Sequence, residues 1–108
     1  MADKIVPIIK AKKTLKNDVI LDPNGFFIIE LIDNQIRVEY YKNIYKNNKI
    51  VSGVIKKVFI GYKADEICDT ITNNINNLRN EHYMYLGREL MKAQYCLENN
   101  YKYEQGGC

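Results

Sequence analysis

The stretch "FFIIELIDNQIRVEYYK", residues 26–42, decides the fold. Phe26 to Ile32 is a run of β-branched and aromatic residues, the composition of a strand. Asp33-Asn34-Gln35 then carries turn chemistry, and in the return segment Ile36, Val38 and Tyr40 alternate with Arg37, Glu39 and Tyr41. That period-two pattern predicts an antiparallel hairpin with one buried face.

Toward the C-terminus, residues 43–53 contain Asn47, Asn48 and Gly53 and few anchoring apolar side chains, so they read as a polar loop. A third strand is expected near 54–60, closed by Gly61. From about 64 to 78 the period changes: Ala64, Ile67, Cys68, Ile71, Ile75 and Leu78 recur at spacings of three and four, with Asp65 and Glu66 where a helix start favours negative charge. Asn80 is the expected cap of a second helix, about 80–99, in which Leu86, Leu90, Ala93 and Leu97 form the seam. Gly87 inside it costs about 1 kcal/mol relative to Ala, and close packing against another backbone is the expected reason.

Toward the N-terminus, Asp22-Pro23-Asn24-Gly25 is a turn signal. Residues 1–19 read as an arm in which Pro7 allows at best an edge strand. Residues 103–108 read as a flexible tail. The sequence therefore predicts a single domain, 1–108, of the α+β class: a small antiparallel sheet of three or four strands with one face covered by two C-terminal helices. The other face is left open to a second copy of the chain, and the tyrosine-rich hairpin with Tyr40 and Tyr41 would suit such a contact.

With 108 residues, 46% hydrophobic and 27% charged, the chain has the composition of one globular unit rather than a disordered segment. No apolar run is long enough to span a bilayer, and a cytoplasmic location is expected. Cys68, Cys96 and Cys108 lack C-x-x-C spacing, which points to reduced thiols and no metal site. The net charge is +3. Segment 43–63 contributes Lys46, Lys49, Lys56 and Lys57 without any acidic residue, a candidate polyanion patch. Nucleic-acid binding is the weaker reading of it, because RNP-like spacing is missing.

Phosphate-loop and dinucleotide fingerprints are absent. One histidine, His82, shares a helical face with Glu89 seven residues on, but about 10 Å of axial rise separates them. Without a paired nucleophile this is a thin basis for acid–base catalysis, and His82 reads first as a structural or capping residue near Asn80. No catalytic residue is assigned. The candidate ligand or partner face is His82, Tyr85, Arg88 and Glu89.

At "LDPNGFF", "IGYKADEI" and "EHYMYLGRELMKAQ" the chain resembles an uncharacterised domain family of methanogenic archaea and some bacteria. The most specific block is H-x-x-Y-L-G-R-E-L, here His82, Tyr85, Leu86, Gly87, Arg88, Glu89 and Leu90. The chain departs from that pattern at Tyr83 and Met84, at Gln94, where the family often has an acidic residue, and at Lys63, which replaces a hydroxyl residue. Members occur alone or at the C-terminus of dihydropteroate-synthase-related pterin-binding proteins, and with sequences like one of the polypeptides of tetrahydromethanopterin S-methyltransferase. The resemblance implies a protein of unknown function, expected to be a non-enzymatic binding or accessory module of pterin- or corrinoid-dependent methyl transfer. Its expected partner is a methyl-transfer or pterin-binding protein, or a second copy in a homodimer. No cofactor is expected of the chain itself; a pterin or corrinoid enters only through this association. The alternatives are a small enzyme or pterin-ligand-binding domain using the His82 to Glu89 face, and a nucleic-acid module using 43–63.

Overall fold

The computed structural model describes residues 5–7, 20–21, 25–47, 49–76 and 78–105. Its elements are β1 (Ile5–Pro7), β2 (Ile20–Leu21), β3 (Gly25–Ile32), β4 (Gln35–Lys46), β5 (Lys49–Gly61), α1 (Ala64–Asn74) and α2 (Asn80–Glu98). The five strands form one antiparallel sheet in the order β1-β5-β4-β3-β2, with both helices on one face. The α+β class and the central hairpin are as the sequence predicts. The two short edge strands extend the sheet beyond three or four.

The β3–β4 turn is tighter than expected. Ile32 pairs with Gln35, so Asp33 and Asn34 alone make the reversal, at φ 53° and 61°. Two successive positive φ values define the turn whose twist matches that of paired strands, and Asp and Asn tolerate them.

The expected loop at 43–53 is instead the far end of a second hairpin. β4 and β5 run for 12 and 13 residues and meet at a Lys46–Lys49 pair. Asn47 enters the reversal with φ 53°, so an asparagine that suggests a loop supplies turn geometry instead. Lys56 is an extra residue in the ladder, since Tyr40 pairs with Lys57 and Tyr41 with Ile55. Such a bulge sharpens the local twist of a long hairpin.

Helix α1 stops at Asn74, short of the expected Leu78. Near its end the polar side chains turn back on the helix: Thr72 donates to the Cys68 carbonyl and Asn74 to that of Thr70. Such bonds compete with helix propagation, and Ile75 is already extended. Ile75 and Leu78 still reach the core, from the connection rather than from a helical face.

The core lies between sheet and helices: Phe27, Ile29, Ile36, Val38 and Phe59 meet Ala64, Ile67, Ile71, Leu86, Leu90 and Ala93. Tyr40 packs against this cluster, while Tyr41 on the opposite face stacks on Phe26 at 5.1 Å and is 2% exposed. Of the tyrosine pair expected to meet a second copy, Tyr41 is buried within the fold and Tyr40 is half-buried. Ile32, Val58 and Ile60 are exposed on the second face. The turn read at Asp22 to Asn24, most of arm 1–19, and the terminus with Cys108 lie outside the described residues. Among the described residues no helix is long and apolar enough to cross a membrane.

Candidate functional site

The heptad spacing of His82 and Glu89 does place them on one face of α2, and that face points inward. His82, Tyr85 and Glu89 are buried alongside Leu86, Leu90 and Ala93. The imidazole is engaged at the helix start: its Nδ1 accepts the Arg79 backbone N–H at 3.2 Å. The bond satisfies a backbone donor just outside the first turn. The cap position is Arg79, one residue before the expected Asn80. Replacing His82 by Ala should cost about 1 kcal/mol, the usual loss for a capping side chain, read as a lower urea midpoint at unchanged m-value.

Glu89, 2% exposed, is the focus of a separate cluster. The Tyr103 hydroxyl donates to its Oε1 at 2.8 Å, and the Lys92 ammonium straddles both oxygens, 3.0 Å from Oε1 and 3.3 Å from Oε2. Lys92 also lies 5.5 Å from the centre of the Tyr103 ring. Burial, and then the bond to the Glu89 carboxylate, hold the Tyr103 phenol well above the ordinary tyrosine range.

Tyr103 gets there because α2 ends in a specific reversal. Asn100 takes a left-handed φ of 60°, and the Tyr101 N–H bonds back to the Cys96 carbonyl at 2.8 Å. This helix-ending motif turns the chain toward the sheet. Two residues past Tyr103, the Gln105 side chain is 1% exposed. Its Oε1 accepts the Ile29 N–H at 2.7 Å, and its Nε2 donates to the Phe27 carbonyl at 3.0 Å and to the Tyr85 hydroxyl at 2.9 Å. The amide thus occupies the place of a neighbouring strand along β3, whose partner β2 reaches only Gly25 and Phe26. Residues 103–105, expected to begin a flexible tail, are bonded through Tyr103 and Gln105 to α2 and β3.

Between the β3 edge and this returning segment lies a groove of about 620 Å³, lined among others by Ile29, Leu31, Asp33, Leu97, Tyr101 and Tyr103. None of His82, Tyr85, Arg88 and Glu89 lines it. Of these four, Tyr85 and Glu89 are tied to the C-terminal segment, His82 stands apart at the helix start, and Arg88 is outside, its guanidinium 5.8 Å from the Tyr85 ring centre. Sequence reasoning misses the groove and Gln105 for one reason: the Gly-Gly pair suggests fraying. The signal that could have found them is alternation, with Tyr101, Tyr103 and Gln105 separated by Lys102 and Glu104.

The outer face of α2 carries a different pattern. Met84, Arg88, Met91 and Tyr95 recur at helical spacing, and the two methionines and the tyrosine are 73%, 62% and 57% exposed. Gly87 lies among them, and a Cβ built there would meet nothing within 4 Å. Among the described residues nothing supplies the packing reason expected for this glycine. The basic positions, by contrast, are spread along the hairpin: Lys46 and Lys49 are register partners at its tip, while Lys57 lies about 26 Å along β5 from Lys49 at ordinary strand rise.

A family model described as PterinBD-DUF4346 matches residues 21–106, and the chain belongs to that family, a domain of unknown function associated with pterin binding. No curated protein and no solved structure matches it.

Proposed function

We propose that this chain is a non-enzymatic accessory module of pterin- or corrinoid-dependent one-carbon metabolism, and that it docks onto a pterin-binding protein through the outward stripe of α2. The observation that carries this reading is Gly87. A glycine within a helix sacrifices about 1 kcal/mol against alanine, and here no neighbour among the described residues needs the space. A backbone from outside can use it. The flanking residues suit that role, because exposed methionines adapt to a partner's shape and Tyr and Arg are enriched where binding energy concentrates. Membership in a family associated with pterin binding supports the choice of partner.

The enzymatic alternative finds less support. His82 Nδ1 is occupied by the Arg79 N–H, and Glu89 is held by Tyr103 and Lys92. Neither group faces the groove.

Gly87→Ala separates stability from function. The variant should be more stable by about 1 kcal/mol, with a raised melting temperature, yet should bind the host's dihydropteroate-synthase-related protein at least ~10-fold more weakly, since even a methyl group obstructs close backbone approach. Titration calorimetry with the purified partner reads the second effect. Undiminished binding by Gly87→Ala and by the bulkier Gly87→Leu would remove the stripe from the interface. Loss of a self-associated form, with no partner binding in the wild type, would show that the stripe serves a second copy instead.

A further inference from the structure

The groove beside β3 has a feature that the docking stripe does not explain. Gln105 demonstrates how this strand edge is read: one planar amide accepts from the N–H of Ile29 and donates to the carbonyl of Phe27, two residues earlier. In an antiparallel ladder, residues pointing their backbone groups outward alternate with those bonded to the neighbouring strand. The next outward pair is therefore the carbonyl of Ile29 and the N–H of Leu31. Among the described residues nothing hydrogen-bonds to either. Both residues line the groove.

We infer that this groove is a binding site for a flat heterocycle with a cis-amide edge, the chemical class that includes pterins. Its ring N–H donates to the Ile29 carbonyl and its ring C=O accepts the Leu31 N–H, repeating one step along the strand the pairing that Gln105 makes. A volume of about 620 Å³ accommodates a two-ring compound with short substituents. Leu31 and Leu97, packed at the edge of the core, give the apolar floor, and Tyr101, 59% exposed, offers a ring to stack against. The Asp33 carboxylate, placed at the groove by its left-handed turn, is an acceptor for an amino group on the heterocycle. The choice of a pterin as probe rests on the family association. The pairing itself rests on the strand edge alone.

The test uses the whole chain labelled with nitrogen-15 and 2-amino-4-oxopteridine as the probe. Binding should shift the Leu31 amide resonance most, together with those of Asp33 and Tyr101. The 3-methyl derivative keeps the ring and loses the donor, and should bind at least ~10-fold more weakly, because a site built for a hydrogen bond rejects the analogue that cannot make it. Tyr101→Ala should weaken the pteridine several-fold at unchanged melting temperature. Shifts that map away from β3, or equal affinity for the methylated compound, would overturn the groove while leaving association with a pterin-binding protein intact. The inference also fails if the pteridine does not bind at millimolar concentration, or if an extended peptide alone perturbs the Leu31 amide, which would make the edge a strand acceptor. Docking to the protein partner is measured independently through Gly87, so the two readings fail separately.

Discussion

Gln105→Ala should destabilise the protein by about 3 kcal/mol, although the residue lies three positions from the end of the sequence. The side chain is buried and makes three hydrogen bonds, two of them to backbone groups of β3 that face away from β4. Alanine leaves the Ile29 N–H, the Phe27 carbonyl and the Tyr85 hydroxyl without that partner. Water can reach part of this edge once the segment lifts, so the loss stays below three full desolvation penalties. Equilibrium urea denaturation gives the free energy. Hydrogen exchange gives the location: the Ile29 amide should exchange at least ~10-fold faster, while the Ile28 amide, directed into the β3–β4 ladder, changes only with global stability. A cost under about 0.5 kcal/mol would mean that the C-terminal segment contributes no anchoring.

The contrast between Gln105 and the central hairpin shows which parts of this molecule the sequence discloses. Residues 26–42 report their own structure, because alternation and turn chemistry act between near neighbours and Asp33-Asn34 can take the backbone angles the turn needs. Helix periods are equally local, which is why the faces of α1 and α2 are legible. Gln105 is different: its partners Phe27 and Ile29 are 78 and 76 residues away, and no local pattern encodes a pairing at that distance. The 43–53 segment fails in the opposite sense. Its Asn47 is correct turn chemistry, but a tight turn and a loop have the same composition, and only the register distinguishes them.

Position 63 illustrates compensation that composition hides. Lys63 offers α1 no side-chain cap. The Ala64 N–H is instead accepted by Gln94 Oε1 from α2 at 2.8 Å, and Glu98 receives both Gln94 Nε2 and the Lys63 ammonium. The fold thus brings Lys63 and Gln94, 31 residues apart in sequence, to one place, and a weak local signal is completed by a distant residue. The candidate site shows the same relation: His82 and Glu89 share a face, as their spacing requires, but what each does is decided by Arg79 on one side and Tyr103 on the other.

Glu89→Ala is expected to produce the largest loss, about 4 kcal/mol, because it removes a buried acceptor of charge-assisted bonds and leaves Tyr103 with an unsatisfied hydroxyl. Lys92 is partly exposed and can turn to water, which keeps the loss from being greater. Glu89→Gln retains an acceptor for the phenol and loses only the charge, so about 1–2 kcal/mol should suffice there. Similar losses in the two variants would assign the whole effect to the carboxylate's charge. The same cluster fixes the sign of the alkaline response. The Tyr103 proton is held more tightly in the folded chain, first by burial and then by Glu89, so the folded state carries more protons than the unfolded one once pH passes the ordinary tyrosine value. Stability from this source is complete below about pH 10 and falls as pH rises from there toward the folded pKa, by up to ~1.4 kcal/mol per pH unit for one group. Burial raises the Tyr40, Tyr41 and Tyr85 phenols as well, adding to the slope. Urea midpoints measured from pH 8 to 11 should therefore decline more steeply in the wild type than in Tyr103→Phe, which lacks the titrating group. Parallel declines would show that the Tyr103 hydroxyl reaches solvent, and with it that the C-terminal segment does not seal the Glu89 cluster.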